Sequence, residues 1–347
     1  MKVLFLTSGA DTPATRYRIL PYLPRLQSRG ITCHVANSFP SKYETLPAIG
    51  FRASQRLKRW TRSWHLLQAK LRHYDAIVIE REIFDDPSWD YEAAFRKVTG
   101  RFILDIDDAI FLRYPEKFPQ IAGMSDCILA GNRWLAEECE KHSQNVRLLP
   151  TCIDLSDYPK ISAETAPSRR SADVPVVGWI GTPSNIAYIK PLIPAFEELC
   201  RRIPFRLRIV TASRDCVDQL GAESLPVEFI SWNASTAVAE IGRFTVGIMP
   251  LEDGIWERHK CGFKLLQYMA AGLPAIASPV GVNQEILSHG ENGFLAATPE
   301  EWTAALEQLL TDNDLRTRLG LAARETVEQR YSVDVHFPTF LAAIEGK

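Results

Sequence analysis

The chain has 347 residues, 46% hydrophobic and 24% charged, with a formal net charge of −2. It is long enough for two cores of ordinary globular composition, and its charge balance gives no support to nucleic acid binding. Its seven cysteines, at 33, 127, 139, 152, 200, 216 and 261, form no Cys-x2-Cys pair, which argues for reduced thiols and a cytoplasmic setting and against a zinc site or disulfide framework.

The apolar run after Met1 ends at turn residues and reads as a first strand rather than a signal peptide. No run approaches the roughly 18 apolar residues of a membrane span. Strands are expected at 3–7, 32–36, 76–80, 102–105, 127–130 and 146–149, with helices such as 15–28 and 133–142 between them. Short apolar strands with helical crossovers predict a parallel sheet covered on both faces. In such sheets the turn after the first strand is a ligand position. Here it carries Gly9 and leads to Arg16 and Arg18, the candidates for an acceptor side. Without a G-x-G-x-x-G pattern, an NAD site loses its main support.

Residues 52–72 hold seven basic and no acidic residues, while Leu57, Trp60, Trp64, Leu67 and Leu71 follow 3-4-3-4 spacing. This is an amphipathic helix, and two readings stand: the apolar stripe packs on its own domain with the basic face solvated, or it docks on an anionic bilayer. Glu80-Arg81-Glu82 ends the third strand. Asp105-Ile106-Asp107-Asp108 ends the fourth, putting three carboxylates at a strand's carboxyl end. Like charges this close raise one another's pKa unless compensated. Asp107 and Asp108 are candidates to receive or orient an acceptor hydroxyl, to bind a divalent ion, or to cap the next helix.

The polar stretch 161–173 reads as a linker, after which the pattern restarts with strands at 176–180, 207–211, 227–230, 245–249, 274–277 and 294–296. The fold class expected is α/β: two doubly wound, Rossmann-like domains, 1–160 and 174–330, facing each other across a cleft. The turn from Gly178 to Asn185 contains Gly181 and Thr182, with Ser184 or Asn185 as helix caps. Further on, Lys260 and Lys264 fall at i and i+4 near the start of an expected helix, where two ammonium groups and the helix dipole suit a diphosphate. Gly281 allows close backbone approach.

The segment KCGFKLLQYMAAGLPAIASPVGVNQEILSHGENG, 260–293, resembles the donor-binding region of the family 4 glycosyltransferases, retaining enzymes of the two-domain GT-B type. Met269, Ala270, Gly272, Pro274, Ile276, Ala277, Ser278, Gly281, Glu285, Gly290, Asn292 and Gly293 match. The family's paired glutamates, eight positions apart, are replaced by His259 and Gln267. The resemblance implies an altered sugar pocket in which Gln267 keeps hydrogen-bonding capacity for a ribose without charge. His259 stands as a sugar contact, a general acid or base, or a capping residue. Thr182 takes the approximate place of the family's diphosphate-binding arginine, leaving Lys260 and Lys264, with Arg258, to carry that charge.

The resemblance implies a glycosyltransferase moving a sugar from a nucleotide diphosphate donor to a hydroxyl acceptor, a sugar, a lipid-linked molecule or a small molecule. No metal or other cofactor is expected. Expected donor contacts are Gly181, Thr182, Asn185, Arg258, His259, Lys260, Lys264, Gln267, Gly281 and Glu285, with Asp107, Asp108 and Lys264 catalytic. It also implies that residues 331–347 form a helix crossing back to the first domain. The alternatives are a nucleotide-sugar epimerase of the same architecture and a non-catalytic sugar-nucleotide-binding partner. The expected location is cytoplasmic, with a peripheral position on the inner face of the membrane through 52–72.

Overall fold

Twelve short strands, nearly all apolar, pair in parallel as two six-stranded sheets in the computed structural model, which describes residues 1–161 and 174–347. One unit comprises Met1–Cys152, His259–Cys261 and Val333–Lys347; the other comprises Ile153–Arg258 and Gly262–Ser332. The first unit therefore ends before residue 160: the Ile153 N–H donates to Tyr331 O at 2.8 Å, and Ile153 bridges Ser332, which ties the chain beyond Cys152 to the second unit. Of the expected linker, residues 162–173 lie outside the described residues.

In the first unit the strands are β1 (Lys2–Thr7), β2 (Thr32–Asn37), β3 (Ala76–Glu80), β4 (Phe102–Ile106), β5 (Cys127–Ala130) and β6 (Val146–Leu148), in the spatial order β2-β1-β3-β4-β5-β6. Alternating side chains fill two cores, one with Leu4, Leu6, Ile77, Ile79 and Leu104 and the other with Val3, Phe5, Val78 and Ile103. That is what period-two geometry requires of a sheet covered on both sides. The strand order reverses between β1 and β3, so the crevice position of such sheets falls where Gly9 follows β1 and Arg81 follows β3. The helix Val333–Glu345 closes the second of these cores: Phe340 stacks on Tyr22 with ring centroids 4.3 Å apart, and Arg25 pairs with Asp334 at 2.5 Å.

In the second unit the strands are β7 (Val176–Ile180), β8 (Arg206–Thr211), β9 (Val227–Ser231), β10 (Val246–Met249), β11 (Ala275–Ala277) and β12 (Phe294–Leu295), in the order β12-β11-β10-β7-β8-β9. Val177, Trp179, Leu207 and Ile209 pack under Phe196 and Trp302 from flanking helices. The order reverses between β7 and β10. Tyr268 ties these two strands together, accepting from Ile180 N at 3.1 Å and donating to Ile248 O at 3.2 Å.

The helix Gly50–Arg72 forms with its faces opposite to the first reading of the sequence. Trp60 is 79% and Leu71 70% exposed, whereas Lys58 and Arg62 are buried. Arg62 donates to Ala36 O at 2.7 Å and Thr7 O at 2.5 Å, and Lys58 Nζ donates to Lys42 O at 2.6 Å. These cations satisfy carbonyls at the sheet's edge, a demand that stripe spacing cannot reveal. The expected helix over 15–28 is broken into a π-helical turn Thr15–Ile19, a 3-10 turn Leu20–Tyr22 and an α-helix Leu23–Ser28, since Pro21 and Pro24 lack the N–H that one continuous helix needs.

Candidate functional site

At the carboxyl edge of the first sheet, charges that the sequence left without partners find one another. Arg18 is buried and grips Asp105 with two bonds, Nε to Oδ2 at 2.8 Å and Nη2 to Oδ1 at 2.6 Å, while Nη1 donates to Leu149 O and Thr151 Oγ1. Burial alone would lower the pKa of Arg18, but Asp105 outweighs it and keeps the guanidinium charged. Expected on the acceptor side, Arg18 is instead consumed inside the unit. Arg16 sits at the same turn, its guanidinium 5.2 Å from the Tyr17 ring centroid. Gly9, with φ 153°, lies where a Cβ would fall 2.6 Å from Ser41 Oγ, so chain against chain, not ligand, fills that space.

Arg81, left-handed at φ 54°, stands at the end of β3 and donates from Nε to Asp107 Oδ1 at 2.5 Å; its Nη1 is 3.5 Å from Asp108 Oδ2. A non-glycine residue in this conformation is held there by its surroundings. Burial pushes Asp107 up, but Arg81 outweighs it, with Arg18 and Lys42 behind, and the carboxyl is held below its ordinary range. Asp108 is raised, chiefly by burial. Two adjacent carboxyls thus differ in proton affinity because only one sits squarely on the guanidinium. Asp108 Oδ1 also accepts from Ala109 N at 3.1 Å, yet the short helix Ile110–Arg113 has no side-chain cap. Glu80 and Glu82 are buried beside them, met by Thr15 Oγ1 at 2.5 Å and Lys42 Nζ at 3.2 Å.

His259 and Lys260 belong to this first unit, together with Cys261. Asn132 caps the helix Arg133–Glu140 through Oδ1 and with Nδ2 donates to His259 O at 2.8 Å and Lys260 O at 3.3 Å. The His259 ring packs edge-on against Phe111, with centroids 4.9 Å apart, and Cys261 Sγ donates to Asp107 O at 3.3 Å. Lys260 is near enough to Asp108 to favour its ionised form. The expected i, i+4 pairing of Lys260 with Lys264 on one helix is therefore corrected. Gly262 is left-handed at φ 65° and the helix begins only at Phe263, so Lys260 precedes it. His259 directly follows the short helix Ile255–Arg258.

At the carboxyl edge of the second sheet, Lys264 lies on the helix Phe263–Ala270, whose N-terminus carries no side-chain cap. Its Nζ is 5.6 Å from the centroid of the Trp179 ring at the end of β7. A Cβ on Gly181 would stand 2.6 Å from Lys264 Cε and 2.7 Å from Trp179, so the glycine is what lets strand end and lysine meet. Thr182, not Ser184 or Asn185, is the N-cap residue of the 3-10 helix Pro183–Leu192, without a side-chain cap; Asn185 Nδ2 donates to Thr182 Oγ1 at 2.9 Å. Gln267 is buried on the same helix as Lys264. Gly281, φ 51°, comes so close to Arg258 that a Cβ would fall 2.4 Å from its carbonyl oxygen; its close approach is to its own chain. Arg258 is exposed and pairs in two bonds with Asp253, at 2.7 and 3.0 Å, and Glu285 lies in the short helix Asn283–Ile286.

The first edge thus brings together Asp107, Asp108, His259 and Lys260; the second brings together Gly181, Lys264 and Trp179. Arg81, Asn132, Trp179 and Tyr268 were missed as site residues. Only Arg81 carried a usable signal, a lone cation between two glutamates at a strand end. Among the described residues no group of three or more His, Cys, Asp or Glu is placed to hold a metal ion, and no helix is long and apolar enough to cross a membrane. All seven cysteines are free.

Residues 174–312 match the family model Glycosyl transferases group 1. D-inositol 3-phosphate glycosyltransferase of Corynebacterium aurimucosum is 27% identical over 216 residues, 57% of this chain and 50% of that protein. N-acetyl-alpha-D-glucosaminyl L-malate synthase of Bacillus anthracis is 35% identical over 77 residues, 22% of this chain and 20% of that protein. The chain therefore spans half or less of the length of these relatives. Among solved structures, Alr3699/HepE of Anabaena in complex with UDP and glucose aligns over 100% of both chains, with TM-score 0.70 and 16% identity. Sucrose-phosphate synthase of Thermosynechococcus elongatus aligns over 99% of this chain and 98% of its own, with TM-score 0.72 and 16% identity. The two parallel six-stranded sheets are those of the GT-B fold, and the stretch from β7 through the helix Pro299–Thr311 is similar to the glycosyl transferases group 1 family.

Proposed function

We propose that this chain transfers a sugar from a nucleoside diphosphate donor to a hydroxyl acceptor, with retention, in the synthesis of a glycan, glycolipid or polysaccharide. The observation that carries the reading is the Lys264–Gly181–Trp179 grouping at the end of β7, inside the segment that matches the family. In this reading Lys264 and the N-terminus of its helix face the diphosphate and stabilise the charge that develops as it leaves. In this reading the donor is a uridine diphosphate sugar, a choice supported by the Anabaena protein of the same fold, which was solved with UDP and with UDP-glucose. On the acceptor side, Asp108, raised by burial, is the better proton acceptor, while Asp107, ionised against Arg81, orients the hydroxyl. A cytoplasmic protein lying on the inner face of a membrane, with a lipid-linked acceptor, belongs to the same reading.

The test is thermal stabilisation of the purified chain by UDP, GDP, dTDP, ADP and CMP, with Lys264→Ala run beside it, because a ligand that binds only the folded state must raise Tm. A shift selective for UDP and lost in the variant is the expected result. No shift with any nucleotide would overturn the donor site. Conversion of a UDP-sugar to its epimer by the protein alone would replace transfer with epimerisation.

A further inference from the structure

The outer face of the helix Gly50–Arg72 presents two parallel rows to solvent. Trp60, Trp64, Leu67 and Leu71 form one row at i, i+4, i+7 and i+11, and all are exposed, Trp64 by 58%. Arg52, Arg56, Arg59, Ser63 and Lys70 form the adjoining row, also exposed. Side chains at three- and four-residue spacing share a helix face, so a basic strip runs beside an aromatic and aliphatic one. On the far side of the apolar row, Thr61 Oγ1 donates to Phe39 O at 3.1 Å and holds a loop whose Phe39 side chain is 58% exposed.

We infer that this face seats the protein on an anionic lipid surface. Burial of Lys58 and Arg62 leaves the remaining cations on the outside, and the helix has no acidic residue of its own to neutralise them, in a chain whose net charge is −2. Arg59 pairs with Asp86; Arg52, Arg56 and Lys70 have no carboxylate partner among the described residues. A surface that is locally cationic on an otherwise slightly acidic protein selects an anionic partner. Tryptophan exposed beside arginine is the composition of an interfacial helix: the indoles enter the headgroup boundary while the cations meet lipid phosphates. A cavity of about 210 Å³ opens beside Leu67 and Lys70, walled by Ser63, Leu66, Asp90, Tyr91 and Ala94, and gives an apolar chain segment, rather than an anionic headgroup, a place along the same row. Seating on lipid deepens the reading of a membrane-attached transferase, and rests on it only for the lipid-linked acceptor.

The experiment is co-sedimentation of the full chain with vesicles of phosphatidylcholine alone and of phosphatidylcholine with phosphatidylglycerol. Three proteins are compared: wild type, Trp60→Ala with Trp64→Ala, and Arg52→Glu with Arg56→Glu. All four altered positions are outside both groupings at the sheet edges, so UDP stabilisation should be unchanged and reports folding and donor binding separately. Wild type should pellet with the anionic vesicles and not the neutral ones, and each double variant should lower partitioning by about ten-fold or more. Equal recovery in the supernatant with both lipids overturns the proposal, whatever UDP does. So does wild type behaving in light scattering as a dimer that the tryptophan variant converts to monomer without any lipid binding, since a second copy would then cover the face.

Discussion

The carboxyl edges of the two sheets share one topology and are furnished in opposite ways. In the first, the position between β1 and β3 is crowded with ions: Glu80, Arg81, Glu82, Asp105 and Asp107 come from strand ends, and Arg18 and Lys42 from the segments that pack on them. Buried charges at this density persist only when each is paired, so most of the edge is internally neutralised and Asp108 is left with the loosest partner. In the second, the position between β7 and β10 is built from glycine, tryptophan, tyrosine and one lysine. An edge crowded with paired ions suits a neutral hydroxyl compound; one that sets a lysine and a helix N-terminus beside glycine backbone suits a diphosphate.

Breaking the first edge should have the largest effect. Arg18→Met leaves Asp105 buried and unpaired, and should cost about 3–5 kcal/mol of stability, read by urea unfolding, whereas Arg18→Met with Asp105→Leu should recover most of it. If the double variant is no better than the single, the pair is not what holds this edge. Breaking the second edge should act on chemistry instead. Lys264→Ala should lower transfer by about a hundred- to a thousand-fold while unfolding like wild type; wild-type turnover would remove the lysine from the mechanism.

Arg81→Lys sharpens the contrast between Asp107 and Asp108. Lysine keeps a charge but not the planar fork, so Asp107 should drift up and the acid limb of the kcat profile should move to higher pH, with a modest loss of rate of about ten-fold. An unshifted profile would uncouple Arg81 from the reacting carboxyls. The smallest effect belongs to His65, which burial first and Arg62 second hold down at about 4 against an ordinary 6.5. The unfolded chain takes up this proton below about 6.5 and the folded chain only near 4, so stability should fall as pH drops through that window. His65→Gln should flatten this dependence; an unchanged slope would place it elsewhere.

All twelve strands were legible, several to the residue, because a strand buried on both faces is a short apolar run bounded by turn residues, and that signal is local. Helix starts were less so. The expected helix through Lys260 and Lys264 overran Gly262, whose left-handed backbone is a property of the turn and not of residue spacing. The amphipathic helix was found, and of its two readings the packing of the stripe on its own domain failed: hydrophobic spacing marks a stripe, but whether stripe or cations turn inward depends on the carbonyls of Thr7, Ala36 and Lys42 that Arg62 and Lys58 meet. Among the site residues, Gly181 and Lys264 were drawn together through the family pattern. The neutralisation of Arg18 was invisible, since Asp105 lies 87 positions away.

What the sequence by itself determined is the part that short-range chemistry carries: strand identity, the alternation that makes two parallel sheets, and the glycine-rich segment after β10 that carries the family resemblance. What only the tertiary structure decided is which charges cancel. Ion pairing inside a protein is settled by desolvation and by distances between atoms far apart in the chain. Those distances made Arg18 structural, set Asp107 and Asp108 apart, sent Lys260 to the carboxylates and Lys264 to Trp179, and turned the tryptophans of the helix Gly50–Arg72 outward.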